Sequence, residues 1–317
     1  MDLSILFENV INALVAGLTI GCIYGLMCTG LGLIFGVMRV VNFAQGELLM
    51  LGMFIAFYLV TAWGVLGFLG PAAPLVGAIL AGPVLFVGGW LLHRFLLAHV
   101  SGLRITDSLD EGHVGQLIVT LGISLVLQNG GLILFGSTPR SVLSPLSSSA
   151  WSFDTGLDGA MLFLNKARLI ACIVAILVAV AVWLLLERTK LGRALRAAAD
   201  NPTAATYTGV DVGRAHRIAF GLGSAITAIA GGLIATSISF TPFSGIDFVI
   251  IMYSGVVLGG MGSILGAFWG GLTIGFVQQL SALALPPQLQ NAAIFVVFLL
   301  IIILRPEGFF GRSAERA

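Results

Sequence analysis

Residues 168–217 read RLIACIVAILVAVAVWLLLERTKLGRALRAAADNPTAATYTGVDVGRAHR, an apolar run followed by a polar and mostly basic segment. The apolar run, near 168–187, is long enough for a helix that crosses the ~30 Å core of a bilayer, which needs about 20 residues. The polar segment from Glu187 to Arg217 carries six Lys or Arg residues against three Asp or Glu residues. Because another apolar run follows it, the pattern predicts a membrane protein that presents a basic segment outside the bilayer.

The composition extends this prediction to the whole chain. Of 317 residues, 58% are hydrophobic and 9% are charged, and the mean hydropathy is +1.07. The apolar runs are continuous instead of alternating, which favours helices over a membrane β-barrel. We therefore predict an all-α fold, a polytopic bundle of eight or nine spans forming one transmembrane domain over residues 1–317, without a soluble catalytic domain. The spans are expected near 10–36, 47–65, 73–95, 115–136, 168–187, 217–240, 246–260, 263–283 and 289–305.

The basic residues fall in alternate connections between these segments. Those connections hold Arg39, residues 93–104, residues 188–217 and the tail with Arg305, Arg312 and Arg316. The positive-inside rule places them in the cytoplasm, so the N-terminus is expected outside and the C-terminus inside. Arg140 and Lys166, in the external connection 136–166, are exceptions. Residues 36–50 and 246–260 remain open to a re-entrant or broken-helix interpretation.

The centre of the basic segment, DNPTAATYTG at 200–209, predicts a short helix with a cap at each end. Asn201 is expected to accept a hydrogen bond from a free amide of the first turn, and Pro202 suits the first helical position. Gly209 suits the left-handed residue that ends a helix. A rigid helix on the cytoplasmic side predicts contact with a soluble partner.

Two sets of polar residues lie at or within predicted spans. The first set, at the entrance of the second span, lies either at the membrane–water interface or at the start of a helix that is broken near a solute path. The second set falls mostly at a spacing of four in one span, so it either bonds neighbouring helices or lines a solute pathway. The predicted pathway residues are Asn42, Gln45 and Glu47 in the first set, and Thr120, Ser124, Gln128 and Asn129 in the second.

Two series of glycines recur at every fourth residue and predict close helix packing, either inside the bundle or at a subunit interface or moving surface. They are Gly17, Gly21 and Gly25, and then Gly262, Gly266 and Gly270.

Several classes of function lack their sequence signal. The chain has no phosphate-binding loop of the form GxxxxGK[ST], no GxSxG nucleophile elbow and no HExxH metal pair. Its three cysteines lie in apolar runs without metal spacing, so we expect no metal and no cofactor. Because the chain cannot bind nucleotide phosphates by such a loop, any ATP hydrolysis must occur in another subunit. No series of Asp, Glu or His runs through the spans, which disfavours a proton relay.

Several motifs together resemble the membrane permeases of bacterial branched-chain amino acid ABC importers, of the LivH type. They occur in the family's order along nearly the whole chain: GCIYGL at 21–26, VNFAQGE at 41–47, LGISLVLQN at 121–129, LGRALRA at 191–197, GV at 209–210, VLGGMGSILGA at 257–267 and LRPEG at 304–308. Gln45 stands where family members commonly carry His.

The resemblance implies a non-catalytic permease subunit of the bacterial inner membrane that imports branched-chain amino acids. Its expected partners are a second homologous permease of the LivM type, two ATPase subunits, a periplasmic solute-binding protein and membrane lipid, without nucleic acid. Thr203, Ala204, Ala205 and Gly209 are similar to the EAAxxxG coupling loop of importer permeases, with Thr203 in place of the acid. Related permeases for urea, short amides or aromatic acids remain open, as does a passive channel or an ion-coupled carrier.

Overall fold

The computed structural model describes residues 3–101, 109–142, 144–154, 161–305 and 308–310. Over these ranges the chain forms helices and one β-hairpin. Their bounds are α1 Leu3–Met38, α2 Gln45–Phe57, α3 Ala73–Leu92, α4 Ala98–Ser101, α5 Leu109–Phe135, β1 Ala150–Asp154, β2 Met161–Asn165, α6 Lys166–Arg188, α7 Lys190–Asp200, α8 Pro202–Tyr207, α9 Val212–Ile234, α10 Ser244–Gly259, α11 Ile264–Ser281 and α12 Pro287–Leu304. A π-helical turn follows α2 at Tyr58–Ala62 and another follows α3 at His93–Leu97, and a 3-10 turn at Gly67–Ala72 precedes α3.

Helical residues occupy each of the nine predicted segments. Six stretches of the described chain are both long and apolar enough to cross a membrane: Leu6–Met38, Gln45–Ala62, Gly67–Leu97, Gly115–Phe135, Lys166–Arg188 and Val212–Ile234. Ser244–Gly259 and Leu289–Leu304 are shorter apolar helices. With 16 residues, α10 is roughly 24 Å long and falls short of the ~30 Å hydrocarbon core.

Helix α1 lies at the centre of the bundle, where it packs against α11, α9, α6 and α10. Its glycines Gly17, Gly21 and Gly25 face α11, and a methyl group on Gly21 would lie 2.8 Å from the carbonyl oxygen of Leu272. From the other side, a methyl group on Gly275 would lie 2.3 Å from the Cα of Gly21. The two backbones therefore touch without intervening side chains, as close packing through small residues requires.

The second glycine series divides between a helix and a turn. Gly266 and Gly270 pack α11 against Gly259 and Gly255 of α10. Gly262 instead lies before α11 with a φ of +97°, and a side chain there would meet no atom within 4 Å. The structure thus assigns Gly262 a conformational role, because only glycine adopts this backbone readily, and not the packing role that its spacing predicted.

The β-hairpin is an exception within the predicted, mainly helical fold. Strands β1 and β2 pair antiparallel, with Ala150 opposite Asn165. Asn12 of α1 holds the hairpin, since its side-chain amide donates to the carbonyl oxygen of Met161 at 3.1 Å and accepts from the backbone amide of Phe163 at 2.9 Å. This contact between distant segments satisfies strand-edge groups that local sequence patterns do not reveal.

The two cations that departed from the positive-inside pattern both lie over aromatic rings. The Arg140 guanidinium is 5.5 Å from the ring centre of Phe57, and the Lys166 ammonium is 5.3 Å from that of Trp151. Such cation–π contacts stabilise a charge near an apolar surface. Of the basic residues used for orientation, Arg104, Arg312 and Arg316 lie outside the described residues, as do Pro306 and Glu307 of the last motif.

Candidate functional site

The break between α1 and α2 lies deep in the bundle. After Arg39, which has a φ of +54°, the chain is non-helical until Gln45 begins α2. The Gln45 side chain donates to the carbonyl oxygen of Gly223 at 3.2 Å and to the hydroxyl of Thr227. Gly223 lies 11 residues into α9, roughly 17 Å along it, near the middle of a candidate span. The geometry favours a broken helix over an interfacial segment, and non-helical backbone at such depth is tolerated where protein buries it or a cavity adjoins it.

Asn42 and Gln45 hold this break together. The Asn42 side chain accepts from the backbone amide of Ala44 at 3.1 Å and donates to the Gln45 amide oxygen at 2.8 Å. Both side chains are fully buried. Since the Gln45 nitrogen bonds to α9, the two amides form a chain of hydrogen bonds from the start of α2 to α9. Of the predicted pathway residues, these two therefore have internal partners that fix the backbone.

Helix α5 runs alongside this break and contacts it through Thr120 and Ser124. The Thr120 hydroxyl accepts from the backbone amide of Phe43 at 3.4 Å, and the Ser124 hydroxyl donates to Oε1 of Glu47 at 3.5 Å. Further along, a methyl group on Gly131 would lie 3.2 Å from Cε of Met50. The two helices thus run in the same direction with their faces in register.

Glu47 and Gln128 differ from the other polar residues of the cluster because each has an unmatched buried atom. Glu47 is 1% exposed and Gln128 is 8% exposed. Within the described chain, Oε2 of Glu47 and Nε2 of Gln128 have no hydrogen-bond partner. Gln128 lies four residues after Ser124 and three before Gly131, so all three share the face that meets α2.

Asn129 does not join the cluster. It is exposed on another face of α5, and its side-chain amide donates to the carbonyl oxygen of Leu125 at 2.8 Å. Local bonding of this kind accounts for its polarity at membrane depth.

The first turn of α10 closes the cluster beside Glu47. A methyl group on Gly46 would lie 2.2 Å from the carbonyl oxygen of Gly245, and one on Gly245 would lie 2.8 Å from Oε2 of Glu47. The α10 N-terminus carries a partial positive charge that favours a neighbouring carboxylate. Sequence patterns did not single out Gly245, Gly223 or Thr227, because their contacts join segments far apart in the chain.

The second candidate region is α8, and its predicted caps are confirmed. Oδ1 of Asn201 accepts from the backbone amide of Ala204 at 2.9 Å, and Pro202 is the first helical residue. At the other end Gly209, with a φ of +85°, donates to Thr206, and Val210 donates to Ala205, both at 3.0 Å. This pair of bonds is a Schellman motif, which closes the C-terminus of a helix.

Helix α8 exposes most of its surface. Tyr207 is 86% exposed, and Thr203 and Ala204 are exposed, whereas Ala205 is 3% exposed and packs inward. A shallow depression of about 300 Å³ is lined by Pro202, Thr203, Thr206, Tyr207 and Val212. A projecting aromatic side chain beside a shallow apolar depression suits contact with another protein.

Helix α7 holds α8 against the bundle. Its Leu195 and Ala198 are buried, while the opposite face carries Arg193 and Arg196. Arg196 pairs with Glu187, and the Arg39 guanidinium donates to the carbonyl oxygen of Ala199 at 3.4 Å. The end of α1, which precedes the polar break, therefore touches the helix that precedes α8.

Metal chemistry has no obvious site in the part of the chain that the structure describes. These residues contain no group of three or more His, Cys, Asp and Glu side chains that could hold a metal ion. Cys22, Cys28 and Cys172 are buried free thiols.

Comparison with known proteins gives one family. The model described as branched-chain amino acid transport system / permease component matches residues 13–304. The chain is 28% identical over 302 residues to the high-affinity branched-chain amino acid transport system permease protein LivH of Escherichia coli K12, covering 93% of this chain and 94% of that protein. It is 27% identical over 304 residues to BraD of Pseudomonas aeruginosa, a protein with the same description, covering 95% and 96%.

A more distant similarity joins the chain to a protein described for another solute. The ribose import permease protein RbsC of Haemophilus influenzae is 26% identical over 249 residues, which is 74% of each chain. No solved structure matches the chain at a comparable level of significance.

Proposed function

The chain belongs to the branched-chain amino acid transport system permease component family, and we propose that it is the membrane-spanning subunit of an ATP-binding cassette importer in the bacterial inner membrane. One observation carries the proposal: an exposed, doubly capped helix is joined by four residues to α9, and α9 holds the polar break of α1 and α2. This connection would let a soluble subunit act on groups at membrane depth.

The proposed assembly contains a second permease of the LivM type, two ATPase subunits and a periplasmic solute-binding protein. The sequence lacks a phosphate-binding GxxxxGK[ST] loop, so the ATPase subunits must supply the nucleotide site. The chain would form one transmembrane domain over residues 1–317, with residues 187–217 as its cytoplasmic coupling segment. The N-terminus would lie outside and the C-terminus in the cytoplasm.

In the proposed mechanism α8 docks on an ATPase subunit through Tyr207 and the exposed face of Thr203 and Ala204. Closure of the ATPase subunits on ATP would displace α8 and α9 together. Because α9 bonds to Gln45, the displacement would shift the start of α2 relative to α5 and α10. Two arrangements of these helices would correspond to outward-open and inward-open states, and each partner would favour the state that it binds better.

We assign hydrophobic, branched-chain amino acids as the imported solutes. The LivH and BraD relatives match this chain over nearly their whole length and are described as branched-chain amino acid permeases. The RbsC similarity shows that comparable chains are described for a different solute. Urea, short amides and aromatic acids, which the family resemblance left open, are the alternatives within the proposed function, and a passive channel or ion-coupled carrier is the alternative to it.

Co-purification and vesicle uptake test the proposal. The chain expressed with its neighbouring genes should retain an ATP-binding subunit. In reconstituted vesicles whose ATPase side faces the lumen, radiolabelled leucine supplied outside should accumulate only when ATP is sealed inside. Uptake that does not depend on ATP, with no nucleotide-binding subunit retained, would support a passive channel or a carrier.

Three substitutions test the role of α8 in coupling. Ala204→Trp adds bulk to the exposed face, and Gly209→Val places a branched side chain at a φ of +85°. Each should reduce leucine uptake per ATP hydrolysed while the protein still inserts. Ala205→Trp also disturbs a buried contact, so it reports on packing as well. Leu177→Trp, which introduces the same side chain at an exposed position of α6, is the control, and equal coupling in all these variants would contradict the role of α8.

A further inference from the structure

The contact between α2, α5 and the first turn of α10 contains two unmatched polar atoms of opposite character. Oε2 of Glu47 is an acceptor and Nε2 of Gln128 is a donor, and neither has a partner among the described residues. Both side chains are more than nine-tenths buried. Buried polar groups are almost always bonded, so each of these atoms requires an explanation.

The surroundings of Glu47 stabilise a carboxylate only in part. Ser124 donates to Oε1 at 3.5 Å, and the α10 N-terminus lies against Oε2 at Gly245. No Lys or Arg side chain is described in an ion pair with it. An intramembrane carboxylate without a cationic partner is expensive, and such residues commonly mark the path of a substrate or an ion.

Gln128 lies about one helical turn, roughly 5.4 Å, beyond the Ser124 that contacts Glu47. Both side chains therefore belong to the contact between α2 and α5, about one helical turn apart along α5. An α-amino acid presents an ammonium donor and a carboxylate acceptor on one carbon. This is the complement of a carboxylate acceptor and an amide donor held one turn apart.

We propose that Glu47 and Gln128 together bind a zwitterionic α-amino acid in passage, with the solute ammonium on Glu47 Oε2 and the solute carboxylate on Gln128 Nε2. The proposal rests on the proposed transport function and assigns the solute class to this site. Neutral urea or amides would not neutralise Glu47, and an aromatic acid without an amino group would meet its negative charge.

The same helix contact also includes an apolar group that could pack against an aliphatic side chain. Met50 is fully buried, and its flexible thioether reaches to Gly131 of α5. Methionine adapts its shape to different apolar groups, which suits leucine, isoleucine and valine alike.

Because Glu47 and Gln128 are buried in this contact, a solute can reach them only if α5 moves away from α2. The main contacts of α5 with other described elements are to α2, α4 and the π turn after α3. Its outer face carries exposed Leu125, Val126 and Ile133, and Gly122 and Gly130 have no atom within 4 Å of an added methyl group. The contact between Ser124 and Glu47 is long, so it opposes separation less than the stacked rings of Phe54 and Phe135, with centres 4.2 Å apart, at the other end of the contact between α2 and α5.

Ligand analogues on the unmodified protein give the first test. The permease and ATPase subunits, in lipid nanodiscs without the binding protein, are titrated by saturation-transfer NMR with L-leucine, with 4-methylpentanoate, which lacks the ammonium, and with 3-methylbutylamine, which lacks the carboxylate. L-leucine should bind at least tenfold more tightly than either analogue. Equal binding of the three compounds, or no binding of leucine, isoleucine or valine, would overturn the proposal without any variant.

Substitutions then assign each group. Glu47→Gln should weaken leucine binding at least tenfold and abolish the preference over 4-methylpentanoate, because the partner of the ammonium is lost. Gln128→Leu should abolish the preference over 3-methylbutylamine. Asp247→Asn removes an exposed carboxylate from the same first turn of α10 and should leave binding within twofold of the unmodified protein. Unchanged preferences in both site variants would refute the assignment.

ATP-dependent uptake separates this inference from the proposed function. If uptake requires ATP but the preferences of the Glu47 and Gln128 variants equal those of the unmodified protein, only the site is wrong. If leucine binding follows the predicted preferences but uptake does not depend on ATP, the binding site is supported and the proposed ATP-driven function is wrong.

Discussion

The double substitution Asn201→Ala with Gly209→Ala removes both caps of α8 without adding bulk to its docking face. Asn201 accepts the first-turn amide of Ala204, and Gly209 ends the helix in a left-handed conformation. Loss of an N-cap costs about 1 kcal/mol, and a non-glycine residue in the left-handed region costs roughly 1 kcal/mol more. Together the changes should lower the ratio of folded to unfolded α8 by about 30-fold, since ~1.4 kcal/mol is tenfold.

The effect should be large because α8 has only six residues. Helices shorter than ~12 residues are marginal on their own, so the caps and the single inward contact of Ala205 determine whether α8 is formed. An unfolded segment transmits force poorly, and leucine transported per ATP hydrolysed should therefore fall several-fold. Most of the bundle should be unaffected, because α8 contacts other elements little beyond α7 and α9.

Proteoliposomes containing all subunits allow uptake and ATP hydrolysis to be measured in the same sample. Hydrogen exchange of the α8 amides reports whether the helix has loosened. Asn201→Ser, which keeps a capping oxygen, is the control and should retain coupling within twofold. Faster exchange in α8 together with unchanged coupling would refute its role as the coupling element, and unchanged exchange would refute the cap energetics.

Three further perturbations follow from the contacts. Thr227→Val leaves the buried Gln45 amide without one acceptor and should lower the free energy of unfolding by about 1–3 kcal/mol, measured by thermal denaturation in detergent. The double substitution Thr227→Val with Gln45→Leu should lower the free energy of unfolding by less than the sum of the two single substitutions. Gly46→Ala brings a methyl group 2.2 Å from a carbonyl of α10 and should destabilise by roughly 1–3 kcal/mol, whereas Gly130→Ala, in open space, should be neutral or stabilising in the same assay. Tyr207→Ala should leave the melting temperature unchanged but weaken binding of the isolated ATPase subunit about tenfold or more, as expected for an exposed aromatic anchor, measured by surface plasmon resonance.

Local chemistry explains which structural features the sequence predicted well. The nine apolar segments became helices because a chain in lipid must satisfy its backbone within each segment. The α8 caps involve residues at most five positions apart, so Asn201, Pro202 and Gly209 specify them without help from the rest of the fold.

Contacts between distant residues explain the remainder. The bonds of Gln45 to Gly223 and Thr227 join residues 178 and 182 positions apart, and a threonine in an apolar helix gives no sign of such a partner. The hairpin at 150–165 depends on Asn12, about 150 positions away. Gly262 follows the same four-residue spacing as Gly266, yet it lies two residues before α11 begins at Ile264, where spacing no longer reports a shared face.

The arrangement of α9 makes a rigid displacement more plausible physically than local unfolding as the means of coupling. From Val212 to Ile234 it is continuous, and its middle is packed through glycine against α1, at Gly223 and Gly30, and against α2, at Gly231 and Leu49. Such backbone contacts leave no flexible side chains to absorb a shift, and closely packed interfaces move between discrete arrangements instead of deforming. A displacement at α8 should therefore reach Gln45 with little loss, and the nearest place where the bundle can yield is the lightly held contact of α5 with α2, where Glu47 and Gln128 lie.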